Sequence, residues 1–438
     1  MTDPDPDPER RRSPAPSAEA DPASARPVAG QTGPDPAPAD TADSGPARDA
    51  PARIDAPWLR APGPRAVCAL LEGAGRQALF VGGCVRDALL GRAPADIDVA
   101  TDARPVEVIA LAEAAGLRAA PTGIEHGTVT LVHGGAPVEV TTFRRDVATD
   151  GRRAVVAFSD DVVEDAGRRD FTMNALYARP DGAVVDPLGG LPDLRAGRVR
   201  FVGDPDARIA EDHLRILRFF RFHAWFGAPG GGIDAEGLAA CAAGAEGVDR
   251  LSRERVGAEI ARLLAAPDPA AALAAMAASG VLARVLPGAD PRAIGPLAHV
   301  EAAGGWPPAW RRRLAALGPG PDWPDRLRLS RSDASGLAAV VEAGESPLAP
   351  AAAAFRFGPD AARDAALIRA AREGVAPAAG LEAELARGAA ARLPLRAAEL
   401  PLSGPPLGAA LRRAEAAWLA ADLRLSPEAV RAAALAGA

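Results

Sequence analysis

Two aspartates one residue apart, Asp96 and Asp98, stand shortly after a Gly82-Gly83 pair and Arg86. On a β-strand, side chains at i and i+2 leave the same face, so the two carboxylates are expected side by side. Adjacent carboxylates repel, which favours protonation of one or a cation shared by both. Oxygen-only ligands point to a hard cation, Mg²⁺ in particular. The glycine pair lets backbone come close to a phosphate, and the start of the following helix favours anions. Arg86, one turn into that helix, could clamp one. An Asp-x-Asp alone is more often a solvated strand edge. With the glycine turn and Arg86 beside it, phosphate chemistry is the better reading.

The string VGGCVRDALLG at residues 81–91, followed by DIDVAT at 96–101, resembles motif A of the polymerase-β-like nucleotidyltransferases. It is most similar to the class II branch, which holds bacterial CCA-adding tRNA nucleotidyltransferases and poly(A) polymerases. HGTVT at 126–130, EVTTFR at 139–144, RRDFTMNAL at 168–176 and DPLGG at 186–190 follow in the order that resemblance requires. It implies that Asp96 and Asp98 hold two Mg²⁺ ions and that Glu139 supplies a third carboxylate. As residue types alone, Glu139 could equally be an exposed hairpin residue. The resemblance also gives Gly83, Arg86 and Arg169 to phosphates and Asp170 to the ribose hydroxyl, roles that suit a guanidinium fork and a carboxylate acceptor. Asn174 is the only asparagine in the chain. That is a hint that its amide is needed, although a capping role would explain it as well.

Residues 208–222 read as one amphipathic helix in which Arg215, Arg218 and Arg221 recur every third position, with Asp212 one turn before Arg215. The plain reading is an i,i+3 ion pair on a solvated face. The segment also resembles motif D of the same family, EDxLRxxR, whose aspartate and first arginine act as a protein template for the incoming base. Cytosine and adenine each present an amino donor beside a ring-nitrogen acceptor, which matches an Asp212 acceptor beside an Arg215 donor. Uracil and guanine mismatch both. Arg218 and Arg221 are assigned to phosphates, and His213 is expected to point away from the base.

The elements that must position these residues divide the chain in two. Helices are expected at 64–76, 85–90 and 105–115, and strands at 78–81, around 96–99, at 128–132 and at 138–143, the last two joined by Gly134-Gly135. After about residue 200 the strand signals vanish. The fold expected is α+β: a polymerase-β-like nucleotidyltransferase head with a mixed sheet, then an all-helical neck and body. The divisions are an acidic Pro/Ala-rich tail at 1–57, expected to be disordered, the head at 58–200, the neck at 201–262 and the body at 263–438. Residues 230–262, including LSRERV at 251–256, look like the RNA-binding neck of the family. Arg311, Arg312 and Arg313 read as ordinary solvated arginines.

Composition says less than position. The chain has no lysine, one asparagine and one tyrosine, so all 50 basic residues are arginine, as drift toward GC-rich codons produces. Residues 1–55 hold eleven acids against six arginines, so most of the net charge of −7 lies in the tail, and an acidic total does not exclude RNA. Three scattered cysteines argue against a disulfide framework or zinc site, the five histidines contain no His-Asp dipeptide, and no membrane-spanning segment is seen. A cytoplasmic setting is expected. The resemblance implies template-independent addition or repair of the 3′-terminal CCA of tRNA from CTP and ATP, with tRNA as partner and neither DNA nor membrane. Poly(A) polymerases and CC- or A-only enzymes share these motifs. The C-terminus lacks the basic extension usual in poly(A) polymerases, which favours the tRNA enzyme.

Overall fold

The computed structural model describes residues 52–149, 154–318 and 320–436. The expected disorder of the tail concerns residues that, up to 51, lie outside this range. From Arg53 the chain is already part of the head. Arg53 bridges to Ala183, the Ile54 amide donates to the Gly182 carbonyl at 2.8 Å, and Ile54 is buried, five residues and four residues respectively before the Trp58 at which order was expected to begin.

The head is built on a seven-stranded sheet. Its strands are β1 (Leu79–Val81), β2 (Asp98–Thr101), β3 (Arg118–Gly123), β4 (Thr128–His133), β5 (Ala136–Thr142), β8 (Tyr177–Ala178) and β9 (Val184–Val185), in the order β3-β4-β5-β2-β1-β8-β9. The remaining two, β6 (Arg144–Thr149) and β7 (Ala154–Phe158), form a separate antiparallel ribbon. Only the β2–β5 pair is parallel, so the sheet is mixed, as expected. Gly134 and Gly135, at φ 59° and 83°, close the β4–β5 hairpin, a pair of left-handed residues whose twist suits a two-residue turn. Helices α1 (Pro62–Gly73), α2 (Gly83–Leu89), α3 (Pro105–Ala114), α4 (Val162–Gly167) and α5 (Leu191–Arg195) complete the head. Proline opens α1 and α3, where its missing N–H costs nothing.

Two expectations about the site elements are corrected. The strand does not end at the aspartates; it begins there. β2 starts at Asp98, and Asp96 lies in the bend before it, so the pair is not two rungs of one strand. The run Val99, Ala100, Thr101 is what the sheet buries. The second correction concerns the neck. Residues 208–222 are not one helix but α6 (Pro205–Glu211) and α7 (Leu214–Phe226), broken where Asp212 becomes extended at φ −156°, ψ 106°. Asp212 breaks the helix because its carboxylate accepts from the Leu214 amide at 3.0 Å, the competing local bond that makes aspartate a helix starter.

The neck continues with α8 (Ala235–Ala243) and α9 (Arg253–Leu264), the latter capped by Ser252. Phe219 and Phe222 of α7 pack on Phe171 and Phe201 of the head, with ring centroids 4.9–6.3 Å apart. One hydrophobic core runs from Ile54 through the neck to Leu385; a separate one joins Leu395, Trp418 and Val430 near the C-terminus. Among the described residues, everything beyond residue 204 that is regular is helical. Arg312 and Arg313, read from sequence as solvated, are buried at 5% and 0% exposure. Both share Glu301, and Arg313 also donates to the Leu264 and Pro267 carbonyls at 2.8 and 2.9 Å, tying off the end of α9.

Candidate active site

Strand register explains why the distant motifs meet. In β1, Leu79 pairs with Ala100 and Phe80 with Val99, which brings the end of β1 and its Gly82 turn beside Asp98 at the start of β2. On the other side of β2, Asp98 pairs directly with Glu139. Directly paired residues share a face, so both carboxylates leave the same side of the sheet. Val99 and Val140, paired one step on, face the opposite core. Tyr177 pairs with Val81 from the other flank and stands on the Asp98 face.

Asp98 is half-buried, while Asp96 and Glu139 are exposed. Burial, then Glu139 and Asp96, push the Asp98 carboxyl up to about 6, although Arg169 opposes them. Three acids whose charges repel at one sheet end suit a hard divalent cation, which would relieve that repulsion. Among the described residues no three His, Cys, Asp or Glu side chains are already drawn together as a metal cage. The donor chemistry fits: Asp98 is paired with Glu139 across the sheet, and Asp96 lies in the bend just before Asp98.

Above this end lies Arg169. Gly82 has φ 71°, ψ −119°, a conformation glycine adopts freely, and a Cβ there would sit 3.3 Å from the Arg169 Nη1. Arg169 Nε donates to the Tyr177 hydroxyl at 3.1 Å and Nη2 to Asp165 at 2.8 Å. Tyr177 in turn donates to the same Asp165 oxygen at 2.7 Å. Burial alone would raise the Asp165 carboxyl; Arg169, Arg168 and Tyr177 hold it down to about 2. Asp165 and Tyr177 were not anticipated. The one available signal was that Tyr177 is the only tyrosine of the chain.

A second network ties head to neck. Asn174 accepts from Arg86 Nη1 at 2.6 Å and donates to Asp170 at 2.9 Å; Asp170 accepts from Arg218 of α7 at 2.7 Å. Asp170 also caps the Phe171 amide, so its four acceptor positions are filled by protein, two of them by Arg218. Burial would raise its carboxyl, but Arg218 and Asn174 hold it at about 2. Arg86 bonds Asp87 as well and lies over the Phe226 ring, 4.1 Å from its centroid. Its guanidinium therefore couples α2 to α7. Gly83, the first residue of α2, keeps a helix-start amide free of an intrahelical partner.

At the helix break, Asp212 and Arg215 do not pair with each other. Asp212 Oδ2 meets Arg255 of α9 at 2.5 Å. Arg215 bonds Glu211 at 2.5 Å and reaches the Arg168 carbonyl at 3.1 Å. Arg221 pairs with the buried Glu259 of α9 and is stacked on Phe222, 4.5 Å from the centroid. Arg255 and Glu259, both unanticipated, lie within the segment that looked RNA-binding. The His213 ring lies against the Gly247 backbone, where a Cβ would fall 1.6 Å from it.

The fold is similar to that of a nucleotidyltransferase head followed by helices. Residues 78–200 match the poly A polymerase head domain, and residues 232–292 match the domain described as "Probable RNA and SrmB- binding site of polymerase A". The resemblance to CCA-adding tRNA nucleotidyltransferases and poly(A) polymerases therefore holds. The chain is 44% identical over 205 residues to the CCA-adding enzyme of Lacticaseibacillus paracasei, covering 46% of this chain and 50% of that one. It is 43% identical over 186 residues to the human mitochondrial CCA tRNA nucleotidyltransferase 1, covering 42% and 43% respectively. The chain thus spans about half the length of the curated relatives it matches. Among solved structures, the Bacillus stearothermophilus CCA-adding enzyme in complex with CTP superposes with a TM-score of 0.67 at 28% identity, over 84% of this chain and 94% of that one. The Thermotoga maritima CCA-adding enzyme complexed with tRNA shares the fold at a TM-score of 0.60 and 20% identity, over 87% and 96%. Nucleotidyl transfer in this family implies a divalent metal.

Proposed function

We propose that this chain adds or repairs the 3′-terminal CCA of tRNA, taking CTP and ATP as substrates and releasing pyrophosphate. The observation that carries the reading is the Arg215–Arg168 contact at 3.1 Å, which sets the base-selecting turn one residue from Arg169. A nucleotide can then meet a phosphate arginine and a base template together.

Asp96 and Asp98, with Glu139 beside them, are the residues to hold Mg²⁺. When bound, Mg²⁺ favours ionisation of the tRNA 3′-hydroxyl and offsets charge building on the triphosphate. The protein supplies orientation. Arg169 and the Gly83 amide bind phosphate oxygens, with no side chain at Gly82 to obstruct the approach. Asp170, fixed by Arg218 and Asn174, borders the ribose. Arg86, Arg218 and Arg221 add positive charge and join head to neck, so the phosphate and base subsites keep one spacing. Asp212 and Arg215 read the amino group and ring nitrogen shared by cytosine and adenine. Two mismatches against uracil or guanine, at roughly 1–3 kcal/mol each, give discrimination of tens to thousands. The setting proposed is cytoplasmic; among the described residues, no helix is long and apolar enough to cross a membrane.

The test is incubation with tRNA lacking CCA, tRNA ending in CC and oligo(A), each with CTP, ATP or both. Three residues followed by a stop are expected. A long A ladder would assign the chain to poly(A) synthesis, and addition of only CC or only A to a partial enzyme.

A further inference from the structure

Drift has removed every lysine and left one asparagine and one tyrosine, and those two survivors are three residues apart. Both are buried, Asn174 at 7% and Tyr177 at 0% exposure, and each hydrogen-bonds a different arginine of the site. Phenylalanine would fill the Tyr177 position in β8 with the same ring, and the chain uses phenylalanine freely, with 11 copies. What tyrosine adds is the hydroxyl. Among the described residues, that hydroxyl bonds only Asp165 and Arg169.

The geometry at Arg169 shows what the hydroxyl does. Nε is taken by Tyr177 and Nη2 by Asp165, whereas Nη1 has no hydrogen bond among the described residues. The guanidinium also lies 5.2 Å over the Tyr177 ring. Asp165 is 1% exposed and Arg169 19%, so the fork is anchored from within, and Nη1 lies beside the Gly82 turn, 3.3 Å from where a Cβ there would sit. A planar guanidinium fixed along one edge must direct its remaining N–H groups in one direction. Tyr177 and Val81 are paired across the sheet, which sets that direction relative to the turn after β1.

We propose that Tyr177, with Asp165, is a positioning residue for triphosphate binding: its hydroxyl fixes the rotamer of Arg169 so that Nη1 faces the phosphates over the Gly82 turn. The inference deepens the nucleotidyltransferase reading above and rests on it. No proton is transferred and neither residue touches substrate. Both bases bind through the same triphosphate, so the device is blind to base identity.

The test is Tyr177→Phe in the full chain, which keeps the ring and the core volume. The KM for CTP and for ATP should rise by the same factor, roughly tenfold for loss of one hydrogen bond to a charged group. Inhibition by inorganic tripolyphosphate should weaken by that factor too, while the KM for tRNA and the preference for CTP over UTP stay as in the wild type. In an Arg169→Ala background, Tyr177→Phe should add nothing, because the residue acts through Arg169. Unchanged nucleotide KM values overturn the proposal. So does a loss that falls equally on tRNA and nucleotide together with a lower melting temperature, which marks a structural role. Asp165→Asn, retaining shape but not charge, gives an independent reading if Tyr177→Phe does not fold. If the wild-type chain fails to extend tRNA, the catalytic reading falls, but calorimetric binding of tripolyphosphate to wild type and Tyr177→Phe still decides the positioning proposal.

Discussion

Asp212→Asn isolates the base-reading edge with little other disturbance. Asp212 has two bonds in the protein: Oδ1 accepts from the Leu214 amide at 3.0 Å and Oδ2 meets Arg255 at 2.5 Å. An asparagine keeps the first with its amide oxygen, so α7 should still start where it does. The second is an ion pair whose side chains are 28% and 34% exposed, and such pairs contribute about 0–1 kcal/mol. Stability should therefore change little. Selectivity should not. The amide NH₂ opposes the amino group of cytosine and suits the O4 carbonyl of uracil, exchanging one match for one mismatch. At roughly 1–3 kcal/mol for each unpaired group, the ratio of kcat/KM for CTP over UTP should fall by about 10- to 200-fold. Arg215 continues to oppose the uracil N3–H, so preference is reduced and not inverted. Single-nucleotide incorporation on tRNA lacking CCA, with each of the four triphosphates, measures this ratio directly. Arg255→Ala is the control: it frees Asp212 without changing its hydrogen-bonding character, and selectivity should move by less than about threefold. A CTP:UTP ratio unchanged in Asp212→Asn would refute the template, whatever happened to total rate.

Asp98→Asn should reduce nucleotide incorporation by at least about a thousandfold with tRNA affinity in filter binding retained, since this carboxylate sits where charge must be neutralised; near-normal turnover removes it from the metal site. Glu301→Gln leaves Arg312 with Asp364 as its remaining carboxylate partner and Arg313 with none among the described residues, and breaking a buried pair in this way costs about 3–5 kcal/mol. A melting temperature within a degree of wild type would show that the cluster is hydrated. Asp165 and Asp170 are both held at about 2, below the ordinary 3.8, so their stabilisation is complete above about pH 4 and lost as pH falls toward 2. The stability gap between wild type and Asp170→Asn should be constant above about pH 5 and close progressively below pH 4; a gap that persists unchanged to pH 2 contradicts the assigned pairing.

Sequence was most informative where a residue's job is local. The hairpin was legible because Gly134-Gly135 permits one kind of turn, and α1 and α3 because proline and apolar spacing mark them. Asp98, Glu139 and Arg169 were legible through motif strings, and register then brought them to one sheet end. Asp212 defeated periodicity: a helical stripe continues through it, but its own carboxylate captures the Leu214 amide and breaks the helix. Arg255, Glu259 and Asp165 were not legible, because each acts on a residue of another element and sequence spacing carries no record of that meeting. Arg313 was misread for the same reason. Charge favours the surface in general, and only the fold reveals that Glu301 and the last carbonyls of α9 surround it.

That enclosure gives α9 a mechanical character. One end of the helix carries Arg255, which holds the Asp212 carboxylate, and the other is clasped by Arg313 of the body. Between Arg255 and Leu264 the helix rises about 14 Å at 1.5 Å per residue, with Glu259 gripping Arg221 midway. A regular helix of this length behaves as a strut, stiff along its axis. The Asp212 turn and the helical body are therefore held by opposite ends of one helix.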